Sequence, residues 1–444
     1  MRDPLSPGSN DLGAARQTAR DIFDYALTQC SIEKSFARNL RNDDGALTVG
    51  ANRYTLALYA RVAVVSIGKA GHGMAEALAK LLPAGTGGVV ACPPGSVSTV
   101  PGFRYFRGGH PLPNEDSLRA GAAIAEFLPA LPQPSLVFFL ISGGASAMAE
   151  KPVHSSLTLW DIIETNRTLL HSGAPIAEIN AIRKHLSAIK GGRMAQAAAP
   201  AEQVSLLISD VPDHSPDALA SGPTMPDSST VADCYAIAAK YSMLPRFPRE
   251  VRRMFEQRRL PETPKAGDPA FHKSRYLTLL SNQSAVEAAV ERARSYGFEV
   301  EVDNSCDDWD YARAADHLLS RLRSLRRRVP RACVISGGEV TVAVGEKAGT
   351  GGRNQQFALY CAQPIAGENI TVLSAGTDGI DGNSQSAGAV VDGTTAERAL
   401  RRGLDPSRAL SQFDAFPLLN SVGDSILTGP TGTNVRDLRI LLAY

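Results

Sequence analysis

The chain has 444 residues, and its charges nearly cancel, with Lys+Arg 46 against Asp+Glu 45. A net charge of +1 gives no overall attraction to nucleic acid or to an anionic membrane surface. The amino-terminal segment MRDPLSPGSN lacks the basic flank and apolar core of a secretory signal. No apolar run reaches the ~18 residues of a membrane span. We therefore expect no nucleic-acid partner and no membrane partner.

The cysteines, six in number, are scattered singly along the chain without any C-x-x-C pair. This pattern argues against a disulfide framework and against a zinc knuckle, and it favours a reducing compartment. Hydrophobic residues make up 43% of the chain and charged residues 20%, as is usual in globular proteins. The composition predicts a cytoplasmic protein of about two or three domains.

The first half of the chain predicts helices that alternate with buried strands. A helix is predicted over 14–40, with apolar residues at helical spacing. Continuous apolar runs at 62–67, 88–92, 135–141 and 204–209 predict strands that are buried on both faces. Strands that alternate with helices indicate right-handed βαβ units, so we expect an open α/β sheet.

The composition changes between about 244 and 274, where Pro and Arg are frequent. We interpret the basic stretch as a solvated helix and a linker rather than as a nucleic-acid patch. A second series follows, with strands predicted at 276–281, 298–302, 332–336, 370–375 and 438–444 and helices at 284–297 and 308–327. The alternating segment 339–344 favours a hairpin with the strand before it. The expected organisation is domain 1–256, linker 257–274 and domain 275–444, with the active site in the cleft between two α/β domains.

Residues that could bind a ligand follow the predicted strands, because open α/β sheets bind ligands at the carboxyl ends of their strands. Glycine, serine, asparagine and aspartate dominate these loops. They include Gly68, Lys69, Ser142, Gly143, Gly144, Ser146, Asp210, Asn282, Arg353 and Asp378.

Two of these residues are cations that stand directly before a predicted helix. A cation at a helix amino terminus opposes the helix dipole, by roughly 0.3–1 kcal/mol at an exposed position. A shared anion between Lys69 and Arg353 would reverse the sign of both effects. The alternative is that each side chain points into water. The loops therefore predict a site for a phosphorylated ligand.

Carboxylates in the same loops are candidate Mg²⁺ ligands beside a substrate phosphate. Asp378 and Asp210 each follow a strand, and turn capping is the alternative for both. For Asp381 we prefer the turn. We expect His72 and His110 to be structural, and we interpret the basic run 183–185 as compensation of a helix dipole. The dinucleotide fingerprint G-x-G-x-x-G with a later acidic residue is absent from the sequence, as is the nucleophile elbow G-x-S-x-G.

Eight ordered motifs resemble the glycerate 2-kinases of the MOFRL type, some of which carry the name hydroxypyruvate reductase. They are SIGKAGHGMAEA, GGHPLPNEDSLRAG, LISGGASAM, INAIRKHLSAIKGGR, SDVPDHSPDALASGPT, SGGEVTVAV with GTGGRNQQFAL, AGTDGIDGNSQSAGAVVD and TGTNVRDLRILL. The resemblance runs from about residue 15 to the carboxyl terminus.

The resemblance implies ATP- and Mg²⁺-dependent phosphorylation of D-glycerate at its C2 hydroxyl. It also implies a Rossmann-like amino-terminal domain and a MOFRL carboxy-terminal domain. The active-site lysine of the family corresponds to Lys69 and its arginine to Arg353. Ser142, Gly143 and Gly144 would form a backbone nest for a carboxylate or a phosphate. We expect the remaining substrate or nucleotide contacts from Gly68, Ser146, Asp210, Asn282 and Asn354, and Mg²⁺ contacts from Asp378 or Asp210.

The sequence departs from the usual family pattern at Ala145, at Asp213 with His214, and at Gln356. These positions leave the substrate preference and the loop shape open. The alternative functions are an NAD(P)H-dependent hydroxypyruvate reductase and a non-catalytic protein that binds phosphorylated acids. A homodimer is an open alternative to a monomer.

Overall fold

The computed structural model describes residues 9–95, 98–211, 216–345 and 348–444. Asp213 and His214, two of the departures from the family pattern, lie outside the described residues. The chain divides into two compact units. One unit consists of Ile32–Leu279, and the other joins the described residues up to Ser31 with Leu280–Tyr444. No helix within the described ranges has the length and apolar character that crossing a membrane requires.

The helices of the described residues have the following bounds: α1 (Ser9–Gln29), α2 (Ile32–Asn39), α3 (Gly71–Ala79), α4 (Glu115–Phe127), α5 (Ala145–Met148), α6 (Leu159–Leu170), α7 (Ile176–His185), α8 (Arg193–Ala198), α9 (Val231–Lys240), α10 (Arg249–Glu256), α11 (Asn282–Ser295), α12 (Tyr311–Arg326), α13 (Arg353–Ala362), α14 (Thr395–Arg401), α15 (Pro406–Ser411) and α16 (Ala415–Ser421).

The strands have the following bounds: β1 (Leu40–Asp43), β2 (Ala46–Val49), β3 (Asn52–Thr55), β4 (Arg61–Ile67), β5 (Gly87–Cys92), β6 (Phe103–Arg107), β7 (Ser135–Ser142), β8 (Glu202–Ile208), β9 (Ser274–Leu280), β10 (Glu299–Val302), β11 (Ala332–Gly337), β12 (Ile370–Gly376), β13 (Gly388–Asp392), β14 (Ser425–Ile426) and β15 (Asp437–Ala443). Strands β1, β2 and β3 form a small antiparallel sheet.

The unit Ile32–Leu279 contains a sheet with the strand order β6-β5-β4-β7-β8-β9. The pairs from β6 to β8 are all parallel. The chain runs outward from β4 to β6 and then returns to β7 on the other side of β4. The direction of winding therefore reverses between β4 and β7, and the crevice at such a switch point is where doubly wound sheets bind ligands. Both strands are apolar runs that are buried along almost their whole length, as the sequence predicts.

The other unit contains a mixed sheet with the order β10-β11-β15-β12-β13-β14. Strand β15 runs antiparallel to both of its neighbours, β11 and β12. The carboxyl ends of β11 and β12 therefore lie at the same edge as the amino end of β15. Gly337 pairs with Leu438 there, and Gly376 pairs with Asp437. The loops that follow β11 and β12 and the loop that precedes β15 therefore meet at this edge.

Three expectations about the elements are wrong, and each fails for a long-range reason. The helix predicted over 14–40 is two helices, and α1 packs its apolar face on the mixed sheet. The strand predicted at 276–281 does not begin the second series, because β9 completes the sheet of the unit Ile32–Leu279. Segment 339–344 forms no hairpin, since β15 pairs along β11 and leaves that segment a single bridge between Asp310 and Thr341. The compact units consequently divide the chain at different points from the expected 1–256 and 275–444.

Candidate active site

The loop after β4 is held against the loop after β7 at the switch point. Gly68 has φ +119°, and a Cβ atom there would lie 2.3 Å from the Ser142 Oγ and 2.5 Å from the Ser142 carbonyl oxygen. The Lys69 N–H donates to the Gly143 carbonyl oxygen at 2.9 Å, and the Ala70 N–H donates to the Ser142 Oγ at 3.0 Å. Only glycine fits at position 68, and these contacts fix where the Lys69 side chain begins.

Side chains from other loops pack against the α-carbons of the two glycines that follow β7. A Cβ atom on Gly143 would lie 1.9 Å from the Asp210 Oδ2. A Cβ atom on Gly144 would lie 2.9 Å from the His110 Cδ2 and 3.2 Å from the Lys69 Cγ. The switch point therefore brings Asp210, His110 and Lys69 around one glycine pair. We refer to these three side chains with Gly68 and Ser142–Gly144 as the switch-point cluster.

Lys69 is an exposed cation at the start of a helix. Its Nζ forms no hydrogen bond and no ion pair with any residue that the structure describes. Helix α3 begins at Gly71, and no side chain caps its amino terminus at Ala70. The first N–H groups of a helix have no partner within the helix, and the dipole adds positive potential. The lysine and the helix start thus combine into a site suited to an anion.

His110, which the sequence predicts to be structural, lies instead in the switch-point cluster. His110 is exposed at the surface, but partial burial of its ring, followed by the charge of Lys69, lowers its pKa below the ordinary value. The imidazole is consequently neutral at neutral pH and can accept a proton. A lone loop histidine carries no local pattern that distinguishes it from a structural one, so this placement could not be predicted.

We predict that Gly144→Ala impairs activity more than its backbone strain alone would explain. Gly85 has φ +84° and Gly144 has φ +79°, but a Cβ atom on Gly85 has nothing within 4 Å. Both alanine variants lose about 1–2 kcal/mol of stability from the left-handed backbone. Only Gly144→Ala must displace Lys69 or His110, which should lower kcat/KM by about tenfold to 100-fold. Thermal unfolding and steady-state kinetics of both variants check this, and equal kcat/KM values would contradict it.

Ser146 and the basic run 183–185 are occupied by internal contacts. The Ser146 Oγ lies 3.3 Å from the Ser221 Oγ. Buried Lys184 pairs with Asp227 at 3.1 Å, and the His185 Nε2 lies 2.9 Å from a Glu262 oxygen. The basic run therefore serves ion pairs within its own unit, and neither the dipole interpretation nor a phosphate contact is needed to explain it.

Arg353, at the start of α13, is held by two carboxylates of its own unit. Its Nε donates to the Asp437 Oδ2 at 2.6 Å and its Nη2 to the Asp437 Oδ1 at 3.0 Å. Its Nη2 also lies 2.8 Å from the Glu339 Oε1. Burial opposes the charge, but the hydrogen bond and charge of Asp437 and the charge of Glu339 outweigh it and raise the pKa of Arg353. Arg353 therefore does not simply point into water, which was the alternative in the sequence, because its guanidinium has carboxylate partners within its own unit.

The Asp381 carboxylate caps the amino terminus of α13. Its Oδ1 accepts the Asn354 N–H at 3.1 Å, and its Oδ2 accepts the Gln355 N–H at 2.9 Å. The Asn354 side chain is buried and bonds to Asp381 and Ser374. Asn354 thus has internal hydrogen-bond partners, and its role as a ligand contact stays a prediction. Asp381 also has a structural position, although as a helix cap rather than as the turn expected from the sequence.

Asn282 also acts as a cross-link within its unit. Its Nδ2 donates to the carbonyl oxygens of Val435 and Asp437 at 2.8 Å and 3.0 Å. Its Oδ1 accepts the Gly338 N–H at 2.8 Å. These bonds tie the start of α11 to the ends of β11 and β15. Since its amide group is used in three internal bonds, the predicted role of Asn282 in ligand binding is not supported by its position.

We predict a pH-dependent stability that is specific to Asp381. Burial is the first cause that raises its pKa to about 6, against the hydrogen bonds from Gln355 and Asn354. Its pKa in an unfolded chain is about 3.9, so the folded state binds the proton more tightly. Stability from this group is therefore fully present below about pH 4 and is lost as the pH rises through about 6. The free energy of unfolding of the wild type, relative to Asp381→Asn, should fall between pH 4 and pH 7 in urea titrations. A difference that stays constant would contradict this.

Asp378 lies at the same edge of the mixed sheet as Arg353. Its Oδ1 accepts the Ile380 N–H at 3.1 Å, which is the turn-capping alternative. Both residues line a cavity of about 690 Å³ whose wall also contains Asp308, Glu339 and Asp381. Within the described ranges, no three His, Cys, Asp or Glu side chains are grouped to hold a metal ion. Magnesium is usually held by one or two carboxylates with substrate phosphates, so single carboxylates remain the relevant candidates.

Comparisons with known proteins agree with the geometry. A family model described as a domain of unknown function, DUF4147, matches residues 18–256, and the MOFRL family model matches residues 332–437. A D-glycerate 2-kinase from Thermotoga maritima is 37% identical over 389 residues, which cover 86% of this chain and 90% of that protein. A protein from Agrobacterium vitis, provisionally named hydroxypyruvate reductase, is 36% identical over 442 residues, covering 98% of this chain and 95% of that protein.

A solved structure supports the same relationship at the level of the fold. The crystal structure of a glycerate kinase from Thermotoga maritima matches with a TM-score of 0.85 and 33% sequence identity. The match covers 97% of this chain and 100% of that chain. The two-domain α/β architecture predicted from the sequence is thereby confirmed.

Proposed function

We propose a function from the premise that this chain belongs to the MOFRL-type glycerate kinase family: it transfers the γ-phosphoryl group of ATP to the C2 hydroxyl of D-glycerate. The products are 2-phosphoglycerate and ADP. The observation that carries the proposal is Lys69, an exposed cation without an anionic partner among the described residues, placed before the uncapped start of α3 at the switch point. Phosphoryl transfer needs positioned cations and N–H donors more than it needs covalent chemistry.

Lys69 is proposed to neutralise charge on the phosphoryl oxygens as transfer proceeds. The backbone from which the lysine extends is held before substrate arrives, because the Lys69 N–H donates to the Gly143 carbonyl oxygen and the Ala70 N–H to the Ser142 Oγ. A preorganised backbone of this kind need not rearrange during the reaction. Ser142, Gly143 and Gly144 supply the adjoining backbone for a carboxylate or a phosphate.

Asp210 is the carboxylate that best fits a Mg²⁺ ion at this site. It lies against Gly143 in the switch-point cluster, where a phosphate would approach Lys69. Asp378, which follows β12, is the second candidate. When bound with ATP, Mg²⁺ would offset the negative charge of the phosphates.

Arg353 is proposed to act in the same reaction as Lys69. Its guanidinium donates two hydrogen bonds to the Asp437 carboxylate, so Asp437 is a residue that positions Arg353. The Nη2 contact with Glu339 is the one that a substrate phosphate would replace. The sequence alone did not identify Asp437 and Glu339 as partners of Arg353. The one available signal was that Asp437 is an acidic residue directly before a predicted apolar strand.

The alternative, a hydroxypyruvate reductase, receives support from the strand order of the parallel sheet, which is that of dinucleotide-binding proteins. Such proteins usually bind the ribose with an acidic residue about 20 positions after the glycine loop. Here β5 ends at Cys92, which is followed by Pro93, Pro94 and Gly95. The glycine loop also has the order G-x-x-G-x-G. We therefore favour the kinase.

A two-arm assay of the purified protein tests the proposal. One arm contains D-glycerate, ATP and Mg²⁺ and follows ADP with coupling enzymes. The other contains hydroxypyruvate with NADH or NADPH and follows the absorbance of the nicotinamide. We expect turnover in the first arm only. Nicotinamide oxidation without ADP would establish the reductase, and silence in both arms would favour the binding protein.

We further propose that the enzyme works in the cytoplasm. The buried positions of all six cysteines are compatible with a reducing compartment. Fractionation of the producing cells tests the location. The homodimer stays a prediction, which light scattering of the purified protein would test.

A further inference from the structure

His110 is placed in the switch-point cluster by a segment that is fixed along its length. The Gly108 N–H donates to the Cys92 carbonyl oxygen at 3.1 Å, and the Gly109 N–H donates to the Ser117 Oγ at 3.1 Å. A Cβ atom on Gly108 would lie 2.3 Å from the Met148 carbonyl oxygen, so the segment lies directly on α5. We propose that His110 accepts the proton of the substrate hydroxyl group during phosphoryl transfer. This inference rests on the proposed kinase function.

The position of the ring relative to Lys69 carries the inference. The Cβ direction of Gly144 points at both groups, with the His110 Nε2 at 3.4 Å and the Lys69 Cγ at 3.2 Å from that point. The stem of Lys69 and the imidazole therefore adjoin the same glycine, and the amine lies within the reach of one lysine side chain from the ring. Attack by a hydroxyl group on a phosphate requires this neighbourhood of donor and acceptor.

The His110 ring is also available, in contrast to four other histidines of the described residues. The ring nitrogens of His110 make no hydrogen bond to any residue in the described ranges. By contrast, four other histidines bond to protein groups, namely His72 to Tyr105, His154 to Ser156, His185 to Glu262 and His317 to Asp303. The backbone of His110 is fixed while its ring nitrogens remain accessible to solvent, so the ring can contact a ligand.

The charges around His110 favour its neutral form. Lys69 faces it across Gly144, and burial and this lysine lower its pKa. Asp210 lies one glycine further along, against Gly143, and is the candidate Mg²⁺ ligand. A neutral imidazole can accept a proton, whereas the protonated ring would add a second positive charge beside Lys69.

The proposed step balances in atoms and charge. The C2 oxygen forms a bond to the γ-phosphorus while the bond between that phosphorus and the β,γ-bridging oxygen breaks, and ADP leaves with that electron pair. The hydroxyl proton passes to the neutral imidazole, which afterwards releases it to water. General-base assistance of this kind contributes about 10²–10⁴-fold to a rate.

The test compares His110→Ala and His110→Gln with the matched control His171→Gln, an exposed histidine at the end of α6 in the same unit. We expect kcat of both His110 variants to fall by about 10²-fold or more, while the control keeps its kcat. Added imidazole should restore the rate of His110→Ala in proportion to its unprotonated fraction. The wild-type kcat/KM should decline as the pH falls through the lowered pKa of His110, and His110→Gln should lack that decline.

Each other outcome contradicts the inference in a distinguishable way. Normal turnover of His110→Ala overturns it while leaving the kinase intact. So does a loss that imidazole does not rescue, together with an unchanged pH profile in His110→Gln. If the wild type forms no ADP from D-glycerate and ATP, the proposed function itself has failed, and the role of His110 falls with it.

Discussion

Replacing Lys69 with methionine is expected to lower kcat by about 10²–10³-fold, the usual effect of removing one preorganised charge-stabilising donor. Folding should be unaffected, because the Lys69 side chain is exposed and bonds to none of the described residues. Methionine keeps the length of the aliphatic stem that packs beside Gly144. The measurements are steady-state kinetics with D-glycerate and ATP, and thermal unfolding of the same preparation.

The matched control for Lys69 is Lys80→Met at the end of the same helix, α3. Lys80 is exposed and pairs with Glu76 only at 4.0 Å, so its removal costs little. We expect its kcat to equal that of the wild type. If Lys69→Met and Lys80→Met turn over alike, the lysine has no part in the reaction.

Replacing Arg353 with methionine is expected to lower both activity and stability. Asp437 is buried, and the substitution leaves it without its fork of hydrogen bonds. The arginine side chain is 36% exposed, so we expect a loss of about 1–2 kcal/mol rather than the ~3–5 kcal/mol of a fully buried pair. The same variant should lower kcat by about 10²-fold if the guanidinium also contacts the phosphate.

Arg398→Met separates these two effects. Arg398 donates to buried Asp424 in the same unit, outside the candidate site, and Asp424 also pairs with Arg16 at 2.6 Å. Because Asp424 keeps the Arg16 pair, we expect a smaller loss of unfolding free energy than for Arg353→Met, with an unchanged kcat. Equal losses of kcat in the two variants would show that Arg353 acts only through stability. In the double variant of Lys69 and Arg353, the effects on kcat should be less than multiplicative if both residues serve one step.

The sequence identified the switch-point cluster largely because its determinants are local. Continuous apolar runs specify β4 and β7, and parallel strands bring their carboxyl ends to one edge. A lysine between such a strand and a helix is conspicuous because it opposes the helix dipole. The sequence alone therefore predicts that Gly68 and Lys69 lie beside residues 142–144.

The rest could not be predicted because it depends on contacts between distant segments. Arg353 meets Asp437 across 84 positions of the chain, and no local pattern joins them. The residues of β9 would suit the edge of either sheet. Its place beside β8 therefore depends on tertiary contacts that its own sequence does not reveal. His110 reaches Gly144 through a loop whose path is set by its packing on α5. Asn282 and Asn354 stand in the predicted loops, but tertiary hydrogen bonds turn their amides inward.

Identification of the product shows which hydroxyl group of D-glycerate receives the phosphoryl group. The wild-type protein would be incubated with ¹³C-labelled D-glycerate, ATP and Mg²⁺, and the product examined by ³¹P and ¹³C NMR. We predict a phosphorus coupling at C2, which defines 2-phosphoglycerate, with an equal amount of ADP. A phosphate attached at C3, or unchanged glycerate in the presence of folded protein, would contradict phosphoryl transfer to the C2 hydroxyl.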